Sequence, residues 1–212
     1  MKEKIKIAYP FLIYCLVQFV FYFNNLFKIE NYQSLLEIIG MSLFAGFFEE
    51  LIFRHWLQDS ISKKLESKHK SVYAIFIVAF LFGILHMTNL VYNENNVSDV
   101  IIQSLSAMGG GVILGSIYYK TNSYLLVAAL HSIYDITSLL GSRYCTICSL
   151  NINLEIMIQF AFNVLISIFI LNNYYLFDRK VNDKNKSKKI QLLYNVLYII
   201  LLVSILLLMR NK

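Results

Sequence analysis

The ionisable side chains inside the long apolar runs of this 212-residue chain are few, and they are grouped. One run carries Glu49, Glu50, Arg54 and His55, another His86, and a third His131 and Asp135. Glu37 shares the first of these runs but stands near its other end, where headgroups would be in reach. An ionisable group at mid-bilayer costs about 2.5–3.5 kcal/mol on insertion scales, so its retention points to function. On a helix, Glu50 and Arg54 are four apart, share a face and can form an ion pair. Glu49 is rotated about 100° away and is left as the carboxylate without a local counter-ion. The spacing thus predicts Glu50–Arg54 as support and Glu49 as the free carboxylate, although a purely structural cluster would need the same three residues. Phe82 and His86 share a face, as do His131 and Asp135. A lone helical histidine is most often a packed, hydrogen-bonded residue. A His–Asp pair can fix a tautomer, bind a metal, form a hydrogen-bonding hole or only join two helices.

These groups need elements to carry them, and the composition says what those are. The chain is 58% hydrophobic and 15% charged, with one proline (Pro10) and eight glycines. Disorder, collagen and a disulfide-stapled miniprotein are excluded. The apolar residues form seven blocks: Ile5–Phe27, Ser34–Leu57, Ser71–Tyr92, Ser98–Tyr119, Ser123–Leu140, Ile152–Phe177 and Ile190–Met209. A span needs roughly 20 apolar residues. The blocks predict an all-α polytopic transmembrane helical bundle with about seven spans, a single integral membrane domain over 1–212. The lysine-bearing N-terminus precedes an apolar run too long for a signal peptide, so it reads as an uncleaved first span. The fourth block carries Ala107, Gly111 and Gly115 at four-residue spacing, and Gly83 lies in the third. Such small residues let helices approach closely, and a stripe of them can also leave room for an extended substrate.

The net charge of +6 is unevenly placed. With the N-terminus cytoplasmic, 14 of the 19 basic residues fall on the inner side, including Lys63, Lys64, Lys68, Lys70, Lys120 and the run from Arg179 to Lys189. This is the positive-inside asymmetry of a multi-pass cell-membrane protein, and it puts the C-terminus outside. The basic run reads as a cytoplasmic loop beside anionic lipid rather than a nucleic-acid patch. Cys145 and Cys148 form a C-x-x-C in an outer loop. Two thiolates fall short of a four-ligand zinc site, leaving no catalytic role or an external disulfide. Counted from the inner ends of their blocks, Glu49, His86 and His131 lie about 12, 22 and 12 Å deep at ~1.5 Å per residue, so they can converge on one cavity.

Taken together, Glu49-Glu50-x-x-x-Arg54, Phe82-x-x-x-His86 and His131-x-x-x-Asp135 resemble the motifs of the CPBP family (the CAAX proteases and bacteriocin-processing enzymes, also called Abi) in order and on separate helices. The matching core is about residues 40–140. The resemblance implies an intramembrane endopeptidase in which Glu49 and His86 activate water, His131 and Asp135 form the oxyanion site, and Glu50 and Arg54 support them. An ionised aspartate cannot donate to an oxyanion, so Asp135 is either protonated or orients His131. Glu49, His86, His131 and Asp135 are also zinc-compatible atom types. No H-E-x-x-H is present, and the reading favours glutamate-type chemistry without a cofactor, with zinc as the alternative. The expected partners are the bilayer and a membrane-associated peptide or protein. The short loops and compact size suggest a bacterial source, and the residues leave oligomeric state open. The rival reading is a non-catalytic bacteriocin-immunity or scaffold protein of the same fold. A small transporter has less support, because no pair of interrupted, repeat-related helices is visible.

Overall fold

The computed structural model describes residues 2–29, 32–67, 69–92, 97–144 and Asn163. Apart from Asn163, the sixth and seventh blocks, the C-x-x-C and the Arg179–Lys189 run lie outside them. The described residues are helical throughout and contain no strand. Helix α1 (Lys2–Tyr22) runs into a tight 3-10 segment, Phe23–Lys28. Helix α2 (Tyr32–Glu50) passes without a break into a π-helical stretch, Leu51–Gln58, and then into α3 (Asp59–Lys64). Helix α4 (Lys70–His86) is followed by the short α5 (Asn89–Tyr92), then α6 (Val97–Thr121) and α7 (Tyr124–Tyr144).

These elements match the first five apolar blocks in order, but not in every boundary. The block Ser71–Tyr92 divides after His86. There the amide of Met87 donates to Ile84 and that of Thr88 to Leu85, while the Thr88 hydroxyl donates to the Leu85 carbonyl. These short bonds tighten the last turn and satisfy carbonyls that a continuing helix would have used. Among the described residues one helical stretch, Val100–Thr121, is long and apolar enough to cross a membrane unaided. Lys70–His86 and Tyr124–Leu140 are shorter apolar helices, as is Ile7–Val20. Helix α2 and its extension carry the charged cluster, which lowers their apolarity.

Helix α4 packs mainly on α6, α2 on α7, and α1 leans on both α6 and α7. The main core joins Ala8, Phe11, Tyr14 and Cys15 of α1 to Ile113, Leu114 and Ile117 of α6 and Val127 and Leu130 of α7. A second cluster joins Phe53, Val78 and Phe82. Missing side chains set how closely the helices meet. At Gly83 a β-carbon would strike Met108 and lie 2.8 Å from the Ser104 carbonyl, and the Ser104 hydroxyl donates to the Gly83 carbonyl at 2.6 Å. At Gly46 it would strike the Ser132 hydroxyl and stand 2.7 Å from the Ser132 amide and 2.9 Å from the Ala128 carbonyl. The outward face is apolar, with Leu16, Val20, Phe44, Trp56, Phe80 and Leu125 among its exposed side chains.

The Gly46 contact is with backbone, which cannot rotate away. Gly46→Val is therefore expected to destabilise the fold by about 1–3 kcal/mol, the usual range for overpacking. Thermal unfolding in detergent checks this; an unchanged midpoint would place α2 farther from α7 than described.

Candidate active site

The site begins with a charge that apolar surroundings cannot hold alone. Glu50 and Arg54 are both fully buried, and Arg54 Nε donates to Glu50 Oε2 at 2.8 Å. Arg54 Nη2 reaches Glu50 Oε1 at a longer 3.5 Å. The i,i+4 pairing expected from the spacing is thus present at the junction where α2 becomes π-helical. π-helical segments are rare and frequent at functional sites.

Glu50 has a second partner that its spacing could not reveal. His131 Nδ1 stands 2.9 Å from Glu50 Oε1. A carboxylate already bonded to a guanidinium is an acceptor, so Nδ1 carries the proton and donates. This bond fixes the ring and leaves Nε2 pointing the other way. On that side Nε2 lies 3.7 Å from Glu49 Oε2 and 3.6 Å from Asp135 Oδ2, both beyond direct hydrogen-bond distance. Glu50, rather than Asp135, therefore makes the close bond to His131, and Asp135 faces the opposite nitrogen. The Glu49 and Asp135 side chains are 31% and 25% exposed, against 6% for His131 and 0% for Glu50. The adjacent glutamates occupy opposite sides of one imidazole: one sealed in, one accessible.

His86 reaches the same region from the end of α4. Its Nδ1 lies 2.9 Å from the Phe82 carbonyl of its own helix. A carbonyl only accepts, so Nδ1 donates and Nε2 is the nitrogen able to accept a proton. The Phe82 ring stands between the two histidines, 4.7 Å from His86 and 5.9 Å from His131, and is edge-on to each. It also lies under the Arg54 guanidinium at 5.7 Å, a cation–π distance. Phe82 thus packs against all three. Glu49, His131 and Asp135 meet around Nε2 of His131. His86 stands across the Phe82 ring from His131.

The small-residue stripe has a use that the sequence left open. A β-carbon at Gly111 would lie 3.1 Å from Ala79 and 3.6 Å from Arg54 Nη2. One at Gly115 would lie 3.2 Å from Ile75 and 3.6 Å from Arg54 Nη1. Close packing of α6 on α4 and room for the buried arginine are the same feature. His55, from the same polar run, turns outward with its side chain 64% exposed. Tyr118 donates to Asp59 at 2.9 Å, and Gln58 Nε2 to the Gly115 carbonyl at 3.1 Å. The sequence reading missed Gln58, although its place in the row Glu50–Arg54–Gln58 was a signal for it. Among the described residues no group of three or more His, Cys, Asp or Glu side chains is placed to hold a metal ion.

Removing one member of a buried ion pair strands the other, at a typical cost of about 3–5 kcal/mol. Arg54→Met is expected to destabilise the protein by about that much, and adding Glu50→Gln should recover part of the loss. A double-mutant cycle in detergent unfolding measures the coupling; additive effects would mean that the pair is not closed.

With the geometry in place, comparison with known proteins gives one family. The description Type II CAAX prenyl endopeptidase Rce1-like matches residues 31–137, which is half of the chain and spans every residue of the site. No curated protein and no solved structure matches. The chain belongs to the Type II CAAX prenyl endopeptidase Rce1-like family.

Proposed function

We propose that this protein is an intramembrane endopeptidase that hydrolyses a peptide bond of a membrane-associated peptide or protein. The observation that carries the reading is the pair of partly exposed carboxylates at Nε2 of a histidine whose other nitrogen is held by a buried ion pair. Amide hydrolysis needs a base for water, a donor for the developing oxyanion and an acid for the leaving amine. In this reading Glu49 takes a proton from water as its oxygen attacks the carbonyl carbon, and His86, across Phe82 from His131, shares the handling of that proton. His131, whose Nδ1–H is held by Glu50, is doubly protonated in this reading, and the carbonyl oxygen becomes an oxyanion facing its Nε2–H. The C–N bond then breaks, the captured proton passes to the leaving amine, and a carboxylic acid and an amine depart. Asp135 serves as a second donor only with a proton on one oxygen; ionised, it orients Nε2–H. Glu50 and Arg54 keep His131 in place and do not touch substrate.

Multi-pass insertion with a cytoplasmic N-terminus belongs to the same proposal. The outward face carries many exposed large apolar side chains, among them Leu16, Val20, Phe44, Trp56, Phe80 and Leu125, and contiguous exposed apolar surface marks contact with a membrane or a partner. The exposed Trp56, Tyr73 and Tyr119 lie toward the end of the bundle that bears Lys63, Lys64, Lys70 and Lys120. Interfacial aromatics and basic residues at one end are what the cytoplasmic face of a membrane protein carries. The substrate in this reading is a bacterial peptide precursor, such as a bacteriocin, with a prenylated protein as the alternative that the family description names. A binding-only immunity role is the alternative that experiment must separate.

Glu49→Gln and His86→Ala are each expected to lower peptide cleavage by at least about 100-fold, the low end for loss of a general acid–base group, with membrane abundance unchanged. Mass spectrometry of peptides accumulating in the Glu49→Gln strain identifies the substrate. Full activity at normal abundance in both variants removes the enzymatic reading. Dialysis against a zinc chelator is expected to leave the rate of the purified protein within about twofold, since no step here uses a metal. Loss on chelation with recovery on added zinc would return the metal alternative.

A further inference from the structure

Behind the ion pair, two buried polar atoms lack a partner among the described residues. Arg54 Nη1 has no acceptor, and Gln58 Oε1 has no donor. Arg54 is 0% exposed and Gln58 4%. They are neighbours on one helix, and both border the same small place on α6. A side-chain carbon at Gly115 would sit 2.9 Å from Gln58 Oε1 and 3.6 Å from Arg54 Nη1. One atom can only donate and the other can only accept. Buried polar groups that lack a protein partner are commonly satisfied by an ordered water, provided the site is polar and roomy enough.

A cavity with room for water adjoins Gln58; Arg54 and Gly115 are not in its lining. Gln58 lines a cavity of about 110 Å³ with Asp59, Ser62, Ser71, Tyr118, Tyr119 and Asn122. This exceeds the ~10–15 Å³ that one water requires. The lining is rich in hydroxyl, amide and carboxylate groups, which would hold water there. Gln58 is the side chain shared by this cavity and the arginine.

We infer that Gln58 is a positioning residue for the active centre, acting through one buried water that accepts from Arg54 Nη1 and donates to Gln58 Oε1. The guanidinium is then fixed at two ends: by Glu50 through Nε and by the water through Nη1. Gln58 is itself anchored to the Gly115 carbonyl on α6. Glu50 holds His131 Nδ1, so the line from the cavity runs through Gln58, the water, Arg54 and Glu50 to the imidazole. The kinetic consequence rests on the hydrolytic reading; the effect on His131 does not.

Two variants test this from opposite sides. Gln58→Met keeps the length and loses both polar atoms. Gly115→Ala keeps Gln58 and fills the shared place; its β-carbon meets the movable end of Gln58 first. In protein labelled with 15N-histidine in lipid nanodiscs, both are expected to shift the His131 ring nitrogens while leaving the loop residue His69 unmoved. Cleavage should show kcat lowered about tenfold with KM within twofold. His131 signals superimposable on wild type in either folded variant overturn the proposal. An experimental density map with Nη1 bonded directly to Oε1 overturns the water. If the His131 signals move but the wild type cleaves nothing, the positioning stands and the hydrolytic reading falls.

Discussion

A guanidinium with no access to solvent governs this architecture. Arg54 is fully buried, and such a cation is tolerable only if the protein replaces the hydration it lost. Much of the surrounding structure can be understood as that replacement. Glu50 supplies the counter-charge, the Phe82 ring a polarisable face, and Gly111 and Gly115 the room. Ala79 and Ile75 then close α4 onto α6 over the same glycines. The result is a rigid acceptor, Glu50 Oε1, aimed at Nδ1 of a histidine on a different helix.

From that rigidity follows an asymmetry between the two nitrogens of His131. One is committed to a sealed carboxylate. The other faces two carboxylates that are neither fully buried nor in direct contact with it. An imidazole held in this way cannot rotate to exchange its nitrogens without breaking a charge-assisted bond, which is among the stronger hydrogen bonds. Preorganisation of this kind is what an oxyanion donor needs, since a donor that must reorient during the reaction loses most of its advantage. The same geometry explains why two adjacent glutamates are not interchangeable. The helix rotates them about 100° apart, and the packing of α7 decides which faces the committed nitrogen.

The local part of this arrangement could be read from residue spacing, and the remainder could not. Glu50–Arg54 and Phe82–His86 are each four apart, and a helix brings such pairs together whatever surrounds them. The all-helical class and the order of the first five helices follow from apolar blocks, for the same local reason. The bond from Glu50 to His131 joins residues 81 apart in sequence, and no periodicity encodes it. The π-helical stretch over Leu51–Gln58 has no composition of its own, so an α-helical reading passed through it. His55 and Gln58 show the difficulty from the other side. Apolar neighbours suggested that His55 was inside, yet it faces out. Gln58 drew no notice as an uncharged residue, yet it is buried against the Gly115 carbonyl. Block boundaries shifted where side-chain or short-range bonds ended a helix, as after His86, because hydropathy does not register those bonds.

The distribution of apolarity among the helices bears on why the chemistry sits where it does. The stretch long and apolar enough to span a membrane alone is in α6, the helix that carries the glycine stripe and no ionisable member of the site. Helix α2, which carries Glu37, Glu49 and Glu50 and leads into the π segment, is not among the apolar spans. In a bilayer such a helix cannot stand by itself; its charged face must be covered before lipid meets it. Helices α6 and α4 cover it on the Arg54 side, and α7 on the Glu50 side. On the remaining side Glu49 is left about one-third exposed. Full cover would exclude water and substrate together, and no cover would expose the carboxylate to acyl chains. A partly covered acid next to a fully covered one keeps the helix in place and leaves Glu49 reachable; under the proposed function, water and a peptide bond would approach from that side.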